Sequence, residues 1–104
     1  MIINSIGKDE LVHETVESFD WDEVWYDYEH HYYDGGGAFL ARKGVQFVLF
    51  DLGHCSCYGP EEALDMHGKK WEGYDELWGR LSEANRKCCE TVFEAAKEYK
   101  KEEA

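Results

Sequence analysis

The stretch from Trp21 to Leu52 constrains this chain more than any other. Val24, Tyr26, Tyr28, His30 and Tyr32 alternate with Trp25, Asp27, Glu29, His31 and Tyr33. A period of two puts successive side chains on opposite faces of a strand and has no counterpart on a helix, so a strand is expected here. One of its faces is aromatic and the other is mixed and acidic. Asp34-Gly35-Gly36-Gly37 follows, and three glycines, free to take positive φ, predict a turn. Ala38 to Arg42 reads as a second strand, Lys43-Gly44 as a tight turn, and Val45 to Leu52 as a third strand, apolar enough to sit centrally.

The flanks of this meander carry helical periods. Between residues 8 and 19, Leu11, Val12, Val16 and Phe19 form one stripe among acids, and Asp9 and Glu10 suit the positive end of a helix. From about Tyr74 to Lys101, the residues Leu77, Leu81, Ala84, Cys88, Val92 and Ala96 recur at spacings of three and four, which predicts one long helix with Cys88 inward and Cys89 about 100° away. Gly53 to Pro60 breaks the strand period and reads as a loop, Glu61 to Asp65 as a short helix, and His67 to Lys70 as an exposed connection. The expected fold is therefore α+β: a three-stranded antiparallel sheet packed with a short N-terminal helix and a long C-terminal helix. With 104 residues, 43% of them hydrophobic, residues 1–104 are expected to form a single domain around one core.

Charge narrows the function classes. The net charge is −12, and the first 53 residues alone carry eleven acids against three bases. Ten acids lie between Asp9 and Asp34 with no Lys or Arg among them. Such a field repels nucleic acid and anionic membranes and favours a basic partner. No apolar run is long enough for a membrane span, and the first residues lack the features of a secretory signal, so a cytoplasmic location is expected.

On the acidic face of the first strand, Glu23, Asp27 and Glu29 recur at about 6.5–7 Å, near the spacing of phosphates along an extended nucleic-acid strand. Trp25 shares that face and supplies an apolar anchor, with Asp34 at its end. These five residues are the candidate partner-binding surface. The competing reading covers the same face with a helix, makes Trp25 core, and leaves the acids at its edge.

His54-Cys55-Ser56-Cys57 places three soft donors within four residues, the types that zinc prefers in tetrahedral sites. Cys88 from the long helix is the candidate that completes the set, with His67, Cys89 and His30 as further donors. Structural zinc is the expected cofactor. Plain burial of Cys88, a disulfide from the loop to the helix, and a thiol made nucleophilic by His54 are the alternatives, the last of which makes the protein a small thiol or metal-dependent enzyme. Nothing in the chain matches a known nucleophile motif, and Gly35–Gly37 lacks the lysine of a phosphate loop, so no catalytic residue is expected.

The segment Asp51-Leu52-Gly53-His54-Cys55-Ser56-Cys57-Tyr58-Gly59-Pro60, preceded by an aromatic strand, a glycine run and a hairpin, resembles small phage-encoded proteins over residues 24–62. With its size and acidity, the chain is also similar to the type II-A anti-CRISPR proteins, some of which contain zinc. That resemblance implies a protein of the host cytoplasm that binds Cas9 on a basic surface and blocks guide or target-DNA engagement, with His54, Cys55 and Cys57 as zinc ligands.

Overall fold

A computed structural model describes residues 1–30, 35–53 and 63–103. Its elements run β1 (Ile2–Ser5), α1 (His13–Glu17), β2 (Glu23–His30), β3 (Gly35–Lys43), β4 (Gln46–Asp51), β5 (Glu72–Gly73), α2 (Tyr74–Arg80) and α3 (Glu83–Glu103). The mixed α+β class stands, but the sheet has five strands, not three, in the order β1-β2-β3-β4-β5. The meander β2-β3-β4 is antiparallel as the alternation requires, with Tyr26 opposite Phe39 and Phe39 opposite Phe50. The two added strands are short edges: β1 runs parallel to β2, and β5 pairs antiparallel with β4 through only two residues.

Both faces of this sheet are buried, giving two cores rather than one. Val24, Tyr26, Tyr28, Phe39, Ala41, Val48 and Phe50 point to one side, where Leu11, Val16 and Trp21 from the β1–β2 crossover cover them together with Leu64. Trp25, Ala38, Leu40 and Phe47 point to the other, beneath Leu77 of α2 and Cys89, Val92, Phe93 and Ala96 of α3. Aromatic contacts run through each layer: Tyr26 stacks on Phe39 at 5.9 Å, and Tyr74 meets Phe93 edge-on at 5.3 Å. Burial on both faces explains the near-continuous apolar character of β4.

The glycine run belongs to β3 and is not a turn. Gly35, Gly36 and Gly37 pair with His30, Glu29 and Tyr28. Gly37 has φ of 151°, and a Cβ there would lie 1.6 Å from the Asp27 carbonyl oxygen, so the strands approach too closely for any side chain. The turn of the next hairpin is Gly44-Val45, one residue later than expected, with Gly44 at φ 63° as the first central residue.

The helices also differ from the periodic reading. The segment before His13 cannot be helical because its main chain is tied to β2: Ile6 N–H donates to Tyr26 O (2.8 Å) and Asp9 N–H to Tyr28 O (3.0 Å). The C-terminal stripe is broken at Leu81, whose ψ of 145° ends α2. Ser82 starts α3 afresh, its Oγ accepting the Asn85 N–H (3.2 Å). Arg86 reaches back to the carbonyls of Trp78 (3.1 Å) and Gly79 (3.2 Å), satisfying the end of α2. The register counted from Leu77 therefore does not carry into α3. Cys88, expected to face inward, is exposed, and Cys89 is the buried one. Among the described residues no helix is long and apolar enough to cross a membrane.

Candidate functional site

Three of the five residues expected to face a partner are occupied within the fold. Trp25 lies on the α3 side of the sheet, buried at 5% exposure, against Phe47 at 6.1 Å. The covered-face reading therefore holds for this residue. Glu23 is half-buried, accepting from Asn4 Nδ2 (3.0 Å) and from the buried Arg42 (3.4 Å). Glu29 forms an exposed ion pair with Lys8 (3.4 Å). Asp27 is half-buried between Gly7 and Gly37, and its side-chain oxygen would lie 2.6 Å from a Cβ on Gly7. Asp34 lies outside the described residues.

The acids just before β2 are also drawn into local structure. Asp22 Oδ2 accepts the Gly44 N–H (2.7 Å) and faces Arg42 at 3.6 Å, so it helps to hold the β3–β4 turn. Asp20 pairs with Lys43 at 3.1 Å. Pairs this exposed contribute about 0–1 kcal/mol each, but they do cancel charge. Lys8, Arg42 and Lys43 thus neutralise much of a run that has no base within it.

Asp9 is half-buried and bonded to β2 through its main chain, which leaves Glu10, Glu14 and Glu17. All three are exposed, and none forms an ion pair among the described residues. Glu14 and Glu17 are three apart on α1 and so share a face. Val12 stands beside them at 54% exposure. The crossover that carries them is fixed to the sheet by Leu11 and Val16 in the core and by Tyr26, whose hydroxyl accepts the Leu11 N–H (3.1 Å) and lies 3.0 Å from His13 Nε2. The phenol thus serves two groups of the crossover at once, one on its main chain and one on a side chain. Among the described residues, the exposed acids of this run without an ion pair therefore sit on the crossover, while Asp27 of β2, also without one, is half-buried.

The thiols are separate from that surface. Cys88 lines a groove of about 500 Å³ with Leu49, Asp51, Lys69, Leu77 and Arg80. Lys69 donates to Leu49 O (2.8 Å) and lies over the Phe50 ring, while Arg80 is held by the buried Glu72 at 3.0 Å. These groove residues were not legible as a group, because Lys69 and Arg80 come from a connection and a helix end that meet β4 only in the fold. Cys89 donates to the Asn85 carbonyl (3.0 Å), and burial pushes its thiol above the ordinary cysteine value, as befits a packing residue. His54, Cys55 and Cys57 lie outside the described residues, as does the side chain of His30. His67 is exposed. Among the described residues no group of three or more His, Cys, Asp or Glu side chains is placed to hold a metal ion.

The chain matches no protein-family model, no curated protein and no solved structure.

Proposed function

We propose that this protein is a non-catalytic binding protein whose acidic crossover engages a basic surface of a nucleic-acid-handling protein in the cytoplasm and denies that surface to nucleic acid. The observation that carries this reading is the exposed, uncompensated trio Glu10, Glu14 and Glu17 around Val12, on a chain of net charge −12. Charge of one sign speeds encounter with an oppositely charged partner, and an apolar residue within it adds short-range holding. Cas9 is the first partner to test, because the chain's size and acidity, with a segment before Pro60 that resembles phage proteins, make it similar to the type II-A anti-CRISPR proteins.

The same reading gives zinc a structural role, with His54, Cys55, Cys57 and Cys88 as ligands. Zinc supplies a rigid tetrahedral link between chain segments distant in sequence. Cys88 fits such a set, since its thiol is exposed and lines a groove shared with Asp51, four residues before Cys55. Four residues span at most about 14 Å. Cys89, turned into the core, does not fit.

The test is binding to immobilised Cas9, with and without guide RNA, at 50 and 500 mM salt. Affinity for the guide-free form should fall at least tenfold across that range, as expected for surface charges whose screening length shrinks with salt. Reversal of all three acids to lysine should abolish binding in a protein that remains folded. Binding that survives both the salt and the triple reversal would refute the acidic crossover as the contact surface.

A further inference from the structure

β1 is an edge of the sheet, and its hydrogen-bonding parity is fixed. Ile2 N–H donates to Asp22 O (3.2 Å) and Ile6 N–H to Tyr26 O (2.8 Å), so the even residues bond to β2. By the alternation of a parallel ladder, the main-chain groups of Ile3 and Ser5 point away from the sheet. The strand contains no proline, and the base that follows it, Lys8, is engaged by Glu29. Edges of this kind are templates for an added strand unless something blocks them.

The side chains of this edge differ by face. Ile3 packs into the core beneath the crossover. Ile2 and Ile6 fall on the opposite face, where α3 packs mainly over β2 and β3, and they are 56% and 39% exposed. Met1 beside them is 43% exposed. On its α3 side the edge therefore presents Ile2 and Ile6 flanking Asn4, whose amide is bound to Glu23 and the Val24 carbonyl, while the chain leaving it leads directly into the acidic crossover.

We infer that β1 is a docking edge for an extended segment of the partner, one in which apolar and basic residues alternate. Added as a further strand, such a segment sets its apolar residues against Ile2 and Ile6 and its basic residues on the side of Glu10, Glu14 and Glu17. This rests on the binding reading above and gives it a recognition mode: main-chain bonds supply affinity and alternate side chains supply specificity. A second copy of this chain is disfavoured as the occupant, since it brings another twelve negative charges to the same edge.

The probe is a labelled, end-capped peptide of sequence KVKVKVK, titrated into the full chain by fluorescence anisotropy, with amide exchange followed by NMR. Saturation should slow exchange at Ile3 and Ser5 at least tenfold and leave Asn4 and Ile6, already bonded to β2, unchanged. Ser5→Pro removes one outward donor and no bond to β2, and should weaken binding about tenfold. Because that variant is open to a folding defect, the same peptide N-methylated at alternate residues tests the bond from the ligand side and should bind at least tenfold more weakly. If both peptides bind equally and Ile3 and Ser5 gain no protection, the edge is overturned while salt-sensitive acidic binding stands. No binding of the peptide, with Cas9 binding intact, likewise overturns the edge alone. Concentration-dependent self-association that protects Ile3 and Ser5 would overturn the choice of occupant.

Discussion

Tyr26→Phe removes one oxygen and should loosen the whole crossover. The phenol is fully buried and serves two groups: it accepts the main-chain N–H of Leu11, itself only 4% exposed, and pairs with His13 Nε2. Phenylalanine fills the same space against Phe39, so no cavity opens. What is lost is the acceptor for a buried donor, worth about 1–3 kcal/mol, plus a bond to a half-buried imidazole that water partly replaces, about 0.5–1 kcal/mol. The expected cost is about 2–3 kcal/mol. For a chain of this size a urea slope near 1.2 kcal/mol per molar turns that into a midpoint about 2 M lower. Tryptophan fluorescence is a direct assay, since Trp21 stands in the same core. His13→Ala leaves the Leu11 bond in place and should cost under about 1 kcal/mol. A shift below about 0.5 M for Tyr26→Phe, or equal losses for the two variants, would refute the assignment of Leu11 as the partner that matters.

Four further outcomes are expected, the zinc result from the proposed ligand set and the others from the geometry. Gly37→Ala forces a Cβ into the Asp27 carbonyl and should cost about 3 kcal/mol or more by urea unfolding, whereas Gly44→Ala, with positive φ but open space, should cost about 1 kcal/mol. Elemental analysis should find stoichiometric zinc in the wild type, reduced in Cys55→Ser, Cys57→Ser and Cys88→Ser but not in Cys89→Ser. Burial, and then Glu94, Asp75 and Cys89, raise the Tyr74 hydroxyl above its ordinary value of 10.0. The native state therefore holds that proton more tightly than the unfolded chain, and the stabilisation is complete below pH 10 and lost as pH rises through the raised native value; Tyr74→Phe should flatten this alkaline decline in unfolding free energy. Glu23→Lys should lower stability by about 1–3 kcal/mol, because it sets a cation beside Arg42, while Glu14→Lys should leave stability within about 0.5 kcal/mol and weaken partner binding.

The alternation of β2, the apolar run of β4 and Gly44 of the β3–β4 hairpin are strong local signals, and the central meander was legible from them. The edges were not. Ile2-Ile3-Asn4-Ser5 is too short to show a period, and β5 has only two residues. The helix break failed for a different reason: Leu77, Leu81, Ala84 and Cys88 continue one period across two helices, against which stood only the modest weakening by Gly79 and Ser82 with Glu83 behind it, a capping pair. Missing that cap set Cys88 inward, where the fold buries Cys89. Gly35 to Gly37 misled because glycine serves close approach as well as turning, and only the tertiary contact with Asp27 tells which.

The acidic surface shows how the same limit acts on charge. Counting along the chain, Asp20 to Glu29 has no neighbouring base, yet an antiparallel hairpin sets residue 23 opposite residue 42, and a parallel crossover brings residue 8 to residue 29. Counter-charge about twenty positions away in sequence is a direct neighbour in space. Asp20, Asp22, Glu23 and Glu29 are thus engaged in ion pairs across the fold, and removing Asp22 or Glu23 leaves Arg42 buried beside a weakened partner. Beyond the Asp9–Tyr28 bridge the crossover is not paired with a strand among the described residues, and Glu10, Glu14 and Glu17 stand exposed there without an ion pair. Being peripheral to the sheet leaves these three acids with no ion pair among the described residues, so if the proposed contact holds, a change there should read on binding without first reading on the fold.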